Sequence, residues 1–243
     1  MMKTYVRLIS CVITMVVMGV SVYASDLTIP QSTAYPFKSM AEIQDDYVCG
    51  RTTTGNIGCI GQGFSGGTVT ALTGETGRPG LLRRETSAVS GTIASLTTNV
   101  AQNTYVYDND ITVTWIARLN TNDANTTVRY GMMNSHTSNP PGNGIYIEKL
   151  DADVNWFCVT KNGGASTRTD STVAVGTGFT IHTLIRNSSG VQFQINGANV
   201  CGIHTSNIPT GVTSVATHIV NSAAVNKTHD IDYVGVTVYG LTR

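Results

Sequence analysis

The clearest signal along the chain is a period of two. Ile111, Val113, Trp115, Ala117 and Leu119 alternate with Thr112, Thr114 and Arg118, so successive side chains of an extended segment point to opposite faces. That alternation predicts a half-buried strand. The same period is read at Val191, Phe193 and Ile195, at Phe179, Ile181, Thr183 and Ile185, and at Ile231, Tyr233 and Gly235. Between these runs stand Pro140-Pro141-Gly142, Asn162-Gly163-Gly164, Ser188-Ser189-Gly190 and Asn196-Gly197, whose residues accept the backbone of tight turns. Strands spaced about 8 to 12 residues apart and joined by such turns predict an all-β, antiparallel sandwich or barrel. Beyond the first 25 residues no amphipathic helical period and no repeat of constant length occurs, which argues against a propeller or β-helix.

The first residues follow another pattern. Lys3 and Arg7 precede an apolar run from Leu8 to Val20, and Val22 and Ala24 place small side chains before Ser25. This is the order of a secretory signal peptide cleaved after Ala24. The run is about 13 residues, roughly 20 Å as a helix and short of the ~30 Å hydrocarbon core, so no stable membrane span is expected. The predicted organisation is a helical signal peptide over residues 1–24, an irregular lead-in over 25–67 punctuated by Pro and Gly, and a β-sandwich domain over 68–243.

Composition narrows the partners. The chain is 12% charged, with 15 basic and 15 acidic residues, against about 25% in an ordinary domain. A balance of this kind offers no basic footprint for a nucleic-acid backbone. Thr occurs 36 times while Glu occurs four times and Lys five, so the residues that fill exposed helix positions are nearly missing. Loss of Lys3 and Arg7 with the leader makes the mature chain mildly acidic. It also removes Cys11 and leaves Cys49, Cys59, Cys158 and Cys201, an even set expected to form disulfides after export. Of the three pairings, the local Cys49–Cys59 bridge is favoured. Neighbouring strands would bring Cys158 and Cys201 together, the alternative being two buried free thiols. Asn125, Asn187 and Asn226 are sequons, relevant in a host that glycosylates.

Saccharide sites usually combine an aromatic platform with fixed hydrogen-bonding groups. Tyr130 with Arg129, Tyr146 with Glu148, and Trp156 with Asn155 are such pairs around residues 134–143, although Trp115 and Trp156 read first as core residues. Glycoside hydrolysis needs two carboxylates about 5 to 10 Å apart, and Glu148, Asp151 and Asp153 are the closest group in sequence. Asp230 and Asp232 alternate with Ile231 and Tyr233 and can share a face for a hard cation such as Ca2+, the simpler reading being a solvated strand face. His136, His182, His204, His218 and His229 have no zinc-site spacing, and neither a G-x-S-x-G elbow nor a phosphate-binding glycine loop occurs.

One resemblance covers about 100 residues. Its pieces are the strand with Glu148, the Asn155-Trp156-Phe157 strand with its Gly-Gly turn, Thr167-Arg168-Thr169-Asp170, the Phe193 to Gly197 hairpin, Asn207-Ile208-Pro209-Thr210, Asn221-Ser222-Ala223-Ala224, and a closing strand at Asp230 to Tyr233. In this order they resemble the concanavalin A-like jelly-roll domains of tailed-bacteriophage structural proteins. The resemblance implies two stacked antiparallel sheets and a surface or adhesive role without a shared catalytic set. The E-x-D-x-x-E strand of glucanases with that fold is missing. A secretory leader and paired cysteines depart from particles assembled in the cytoplasm and point to export or display. The expected function is a non-enzymatic structural or recognition protein, secreted, periplasmic, surface-displayed or in a virion. Its expected partners are glycans, other surface or virion proteins, or further copies of itself, with no cofactor beyond an optional Ca2+. The alternative is a secreted carbohydrate-active enzyme, a hydrolase or lyase, of the same fold.

Overall fold

The computed structural model of the chain describes residues 40–45, 63–97, 105–106 and 110–240. The predicted leader, most of the lead-in and the cysteines Cys49 and Cys59 lie outside the described residues. Every regular element among the described residues is a strand. In chain order these are β1 (Met40–Asp45), β2 (Gly63–Ser65), β3 (Thr68–Glu75), β4 (Arg78–Glu85), β5 (Ile93–Thr97) and β6 (Tyr105–Val106). Then follow β7 (Ile111–Leu119), β8 (Thr126–Met133), β9 (Gly144–Lys149), β10 (Asn155–Asn162) and β11 (Ala165–Ala174). The last are β12 (Thr180–Asn187), β13 (Gly190–Ile195), β14 (Ala198–His204), β15 (Val212–Asn221) and β16 (Thr228–Tyr239).

They form two antiparallel sheets. The first runs β14-β13-β12-β7-β16-β4-β3, with β1 paired to the second half of β16. The second runs β11-β10-β9-β8-β15-β5-β2, with β6 paired to the start of β15. The stretch read as an irregular lead-in therefore supplies β1 and β2. Backbone pairing to β16 and β5 makes them strands, and it needs no side-chain alternation of its own.

The core lies between the sheets. β7 alternates buried and half-buried along its whole length, as its sequence predicts. Val128, Tyr130 and Met132 of β8, Ile145 and Ile147 of β9, and Trp156 and Cys158 of β10 face it from the second sheet. Two predicted strands enter in a different phase. In β12 the buried side chains are His182 and Leu184, while Ile181 is 40% exposed. A shift of one residue exchanges the faces of a strand, and aromatic contact decides this one. The His182 ring stacks on Tyr130 at 4.9 Å and meets Trp156 edge-on at 4.6 Å. In β16 a register shift between Ile231 and Tyr233 moves the core positions to Ile231, Val234, Val236 and Val238.

The aromatic centre is polar inside. The Tyr130 hydroxyl lies 3.2 Å from His229 Nδ1. Burial holds the His182 and His229 imidazoles neutral, pushing each down to about 3. Cys158 and Cys201 form a disulfide with Cα atoms 6.3 Å apart. Its strands, β10 and β14, belong to different sheets, so the bridge crosses the sandwich and does not join neighbouring strands as expected. With its ends 43 positions apart in sequence, loop closure of this size is worth about 4 kcal/mol in the chain-entropy treatment.

Candidate functional site

Alternation in β8 to β11 sends one set of side chains into the core and the other onto the outward face of the second sheet. The pairing aligns that outward set into rows. His218, Arg129, Glu148, Phe157 and Asp170 form one row across β15, β8, β9, β10 and β11. Ala216, Gly131, Tyr146, Val159 and Arg168 form the next, and Ser214, Met133, Gly144, Lys161 and Ser166 the third. Gly131 and Gly144 leave room for Tyr146. A Cβ on Gly144 would stand 2.6 Å from the Tyr146 ring, and one on Gly131 2.8 Å from its Cβ.

An ion-pair ladder organises the first two rows. Arg129 Nε donates to Glu148 Oε2 at 2.7 Å, and Arg168 Nε donates to Glu148 Oε1 at 2.8 Å. Both carboxylate oxygens are thus engaged, and the Glu148 side chain is only 5% exposed. Arg129 Nη1 also donates to Asn139 Oδ1 at 2.9 Å and to His218 Nε2 at 3.2 Å. A guanidinium has no acceptor, so this contact assigns the ring proton of His218 to Nδ1. Burial and the charge of Arg129 hold the His218 imidazole well below its ordinary value. Burial and the Glu148 charge push the Tyr146 phenol up to about 12. Arg168 extends the ladder to Asp153 and lies 3.5 Å over the Phe157 ring.

The turn after β9 is held from within. Lys149 is 1% exposed, and its ammonium donates to the carbonyls of Asp123 and Thr126 at 2.7 and 2.8 Å and of Asp151 and Leu150 at 3.1 and 3.2 Å. Asp151 Oδ1 accepts from the Thr127 hydroxyl at 2.8 Å, and Asp153 Oδ2 accepts from the Leu150 amide at 2.7 Å. Between this turn, Asn139 and Pro140 of the β8–β9 connection, and the rows of β8 to β11 lies a cleft of about 600 Å³. Tyr146, Lys161, Ser166 and Arg168 line it together with Glu148, Asp151 and Asp153.

The six candidate binding residues thus separate. Arg129, Tyr146 and Glu148 line the cleft. Tyr130 and Trp156, each next in sequence to an outward residue, are turned into the core with 1% and 2% exposure, which removes them from any ligand surface. Asn155 donates to the Asp170 carboxylate at 3.1 Å, at the end of β10 and outside the cleft lining. The three carboxylates of the enzymatic alternative, Glu148, Asp151 and Asp153, come together in the cleft. Asn139, Lys161, Ser166 and Arg168 were not among the predicted binding residues. They lie on the β8–β9 connection and on the two arms of the β10–β11 hairpin; the Asn162-Gly163-Gly164 turn signals that hairpin, but only its pairing to β9 brings it to the cleft.

Asp230 and Asp232 lie on the first sheet against arginines. Arg83 Nε reaches Asp230 at 2.7 Å, Arg118 Nη2 reaches it at 2.9 Å and Asn120 Nδ2 at 3.0 Å, while Arg78 pairs with Asp232. These guanidinium groups hold the Asp230 carboxyl below its ordinary value against the opposing effect of burial. Among the described residues no group of three or more His, Cys, Asp or Glu side chains is placed to hold a metal ion. Of the sequons, Asn125 and Asn226 are exposed and Asn187 is half-buried. No helix among the described residues is long and apolar enough to cross a membrane.

Residues 77–237 match the C-terminal domain of SO2946-like proteins. The chain belongs to this family. A Shewanella oneidensis protein of unknown function, SO2946, superimposes with a TM-score of 0.62 at 13% identity over 90% of the present chain and 95% of its own. A Bacillus licheniformis β-glucanase gives 0.53 at 9% identity, covering 84% and 99% of the two chains. The carbohydrate recognition domain of Emp47p gives 0.55 at 9% identity, covering 83% and 95%. At these identities the likeness is one of fold, the concanavalin A-like jelly roll shared by lectins and glucanases. No curated protein matches by sequence.

Proposed function

We propose that this SO2946-like chain is a non-enzymatic recognition protein that binds glycan in the cleft of the second sheet. The observation that carries the reading is the state of Glu148. A general acid or base must meet the substrate with a proton to give or a lone pair to take. Both Glu148 oxygens instead accept from Arg129 and Arg168, and the side chain is nearly closed off from solvent. Around it the cleft offers hydroxyl, amide and guanidinium groups fixed by strand pairing, an arrangement suited to holding a polyhydroxylated ligand. The disulfide between Cys158 and Cys201 supports an exported or surface-displayed life. Attachment to a virus particle is the more specific form of this reading, supported by the resemblance to phage jelly-roll domains.

A second reading, a carbohydrate-active enzyme, is favoured by Asp151 and Asp153 lying in the same cleft as Glu148. The test is a glycan array and a polysaccharide digestion assay run on the same purified chain. Retention of saccharide without cleavage is expected. Cleavage that is lost in Glu148→Gln or Asp151→Asn would overturn the non-enzymatic reading in favour of the second.

A further inference from the structure

We infer that the cleft selects acidic saccharides, with Lys161 receiving a carboxylate or sulfate group of the ligand; this rests on the glycan-binding reading above. The cleft is electrically polarised along β10. At one end the carboxylates are occupied: Glu148 by Arg129 and Arg168, Asp153 by Arg168 and the Leu150 amide, Asp151 by Thr127. At the other end stands Lys161. Its cross-strand neighbours on the same face are Gly144 and Ser166, neither of them charged. The nearest acidic row, that of Glu148 and Phe157, is four residues away along β10, roughly 13 Å at the rise of a strand.

Lys161 is half-buried and lines the cleft, with no hydrogen-bond or ion-pair partner among the described residues. The other described lysines are both engaged. The Lys149 ammonium is caged by four carbonyls, and Lys227 pairs with Asp123. An ammonium held beside a cleft wall without a counter-charge favours an anion there, and the Ser166 hydroxyl in the same row adds a donor to it. A neutral chain of sugars would leave that charge unused. A nucleic acid is a poorer fit, because a phosphate backbone needs a row of cations and this row holds one.

The test measures binding of the full chain to oligogalacturonate, to its methyl ester, to dextran sulfate and to unmodified dextran by isothermal titration calorimetry. Oligogalacturonate and dextran sulfate separate a carboxylate ligand from a sulfate ligand. The expected result is that at least one acidic probe binds about tenfold or more tightly than its neutral counterpart, as befits one charge-assisted contact. Lys161→Met should remove that preference, Lys161→Arg should keep it, and both variants should retain the parent melting temperature, since the residue anchors nothing in the fold. Equal affinity for acidic and neutral probes, or a preference unchanged in Lys161→Met, overturns the inference and leaves glycan binding standing. Equal binding of a single-stranded oligodeoxynucleotide also overturns it. If no saccharide binds here and the glycan array is blank, the underlying reading fails with it.

Discussion

Each sheet turns a ladder of arginines and carboxylates outward, and the two ladders end differently. On the first sheet Arg83 and Arg118 converge on Asp230, Arg118 continues to Glu75, and Arg78 pairs with Asp232. The Phe179 ring lies 4.0 Å from the Arg78 guanidinium and 4.6 Å from that of Arg118. Each of these charges has a counter-charge. On the second sheet the ladder is closed at Glu148, but it borders a cleft and stops short of the row where Lys161 stands. An ion-pair ladder alone therefore marks no site. What marks the second face is a charge beside its cleft, Lys161, that the ladder leaves unmatched.

Acid should separate the two faces most strongly. His218 lies beneath the second ladder in contact with Arg129, whereas the first ladder contains no histidine; His182 and His229 sit in the core between them. All three rings are held below their ordinary value by burial, His182 and His229 at about 3. The unfolded chain binds these protons near pH 6.5 and the folded chain does not. Their stabilising effect is thus complete above about pH 6.5 and is lost progressively as pH falls toward 3. Each contributes about 1.4 kcal/mol per pH unit in that window, so urea midpoints should drop steeply between pH 6 and 4. His218→Asn should flatten the slope by about one proton. An unchanged slope would show that the second ladder tolerates charge beneath it.

Next in size is the contrast between the two central carboxylates. Glu148→Ala leaves Arg129, whose side chain is 3% exposed, charged without its partner, and should cost about 3 to 5 kcal/mol. Asp230→Ala strands Arg83 and Arg118, which are 34% and 22% exposed and can turn to water. Its cost should be smaller, about 1 to 3 kcal/mol. Chemical denaturation of both variants decides the order, and a reversed order would break the contrast.

A smaller effect is expected beside the cleft. Lys149→Met removes the ammonium that four carbonyls share and should cost about 2 kcal/mol. Hydrogen exchange should rise in residues 150–154, which border the cleft, while β4 and β16 keep their protection. The smallest change is Glu75→Gln at the open end of the first ladder. Its side chain is 45% exposed, so the melting temperature should move by less than the equivalent of about 1 kcal/mol.

Much of the fold is legible in the chain, and the failures have local causes. β7 reads correctly because the alternating set Ile111, Val113, Trp115, Ala117 and Leu119 faces the core and no bulge interrupts the strand. β12 reads in the opposite phase because Ile181 and Ile185 suit a strand on either face, and only contact with Tyr130 and Trp156 makes His182 the buried residue. β16 carries a bulge that no residue type announces. For the cleft, alternation alone separates Arg129 from Tyr130, but which of the two turns toward the cleft depends on which face the first sheet covers. Arg168 and Lys161 reach Glu148 and the cleft through a register that joins β11, β10 and β9.

The sequence by itself determined the class of the protein: alternating apolar positions and Gly- and Asn-rich turns allow little except antiparallel sheets, and scarce charge leaves few groups for chemistry. The tertiary structure alone decided which charges meet. Asp230 and Asp232 became arginine partners, Cys158 was joined to a strand of the opposite sheet, and Lys161 was left facing a cleft without a counter-ion among the described residues. The physical reason is that period and turn chemistry act between residues close in sequence. Pairing register, by contrast, sets neighbours across long separations, and a shift of one position exchanges the two faces of a strand.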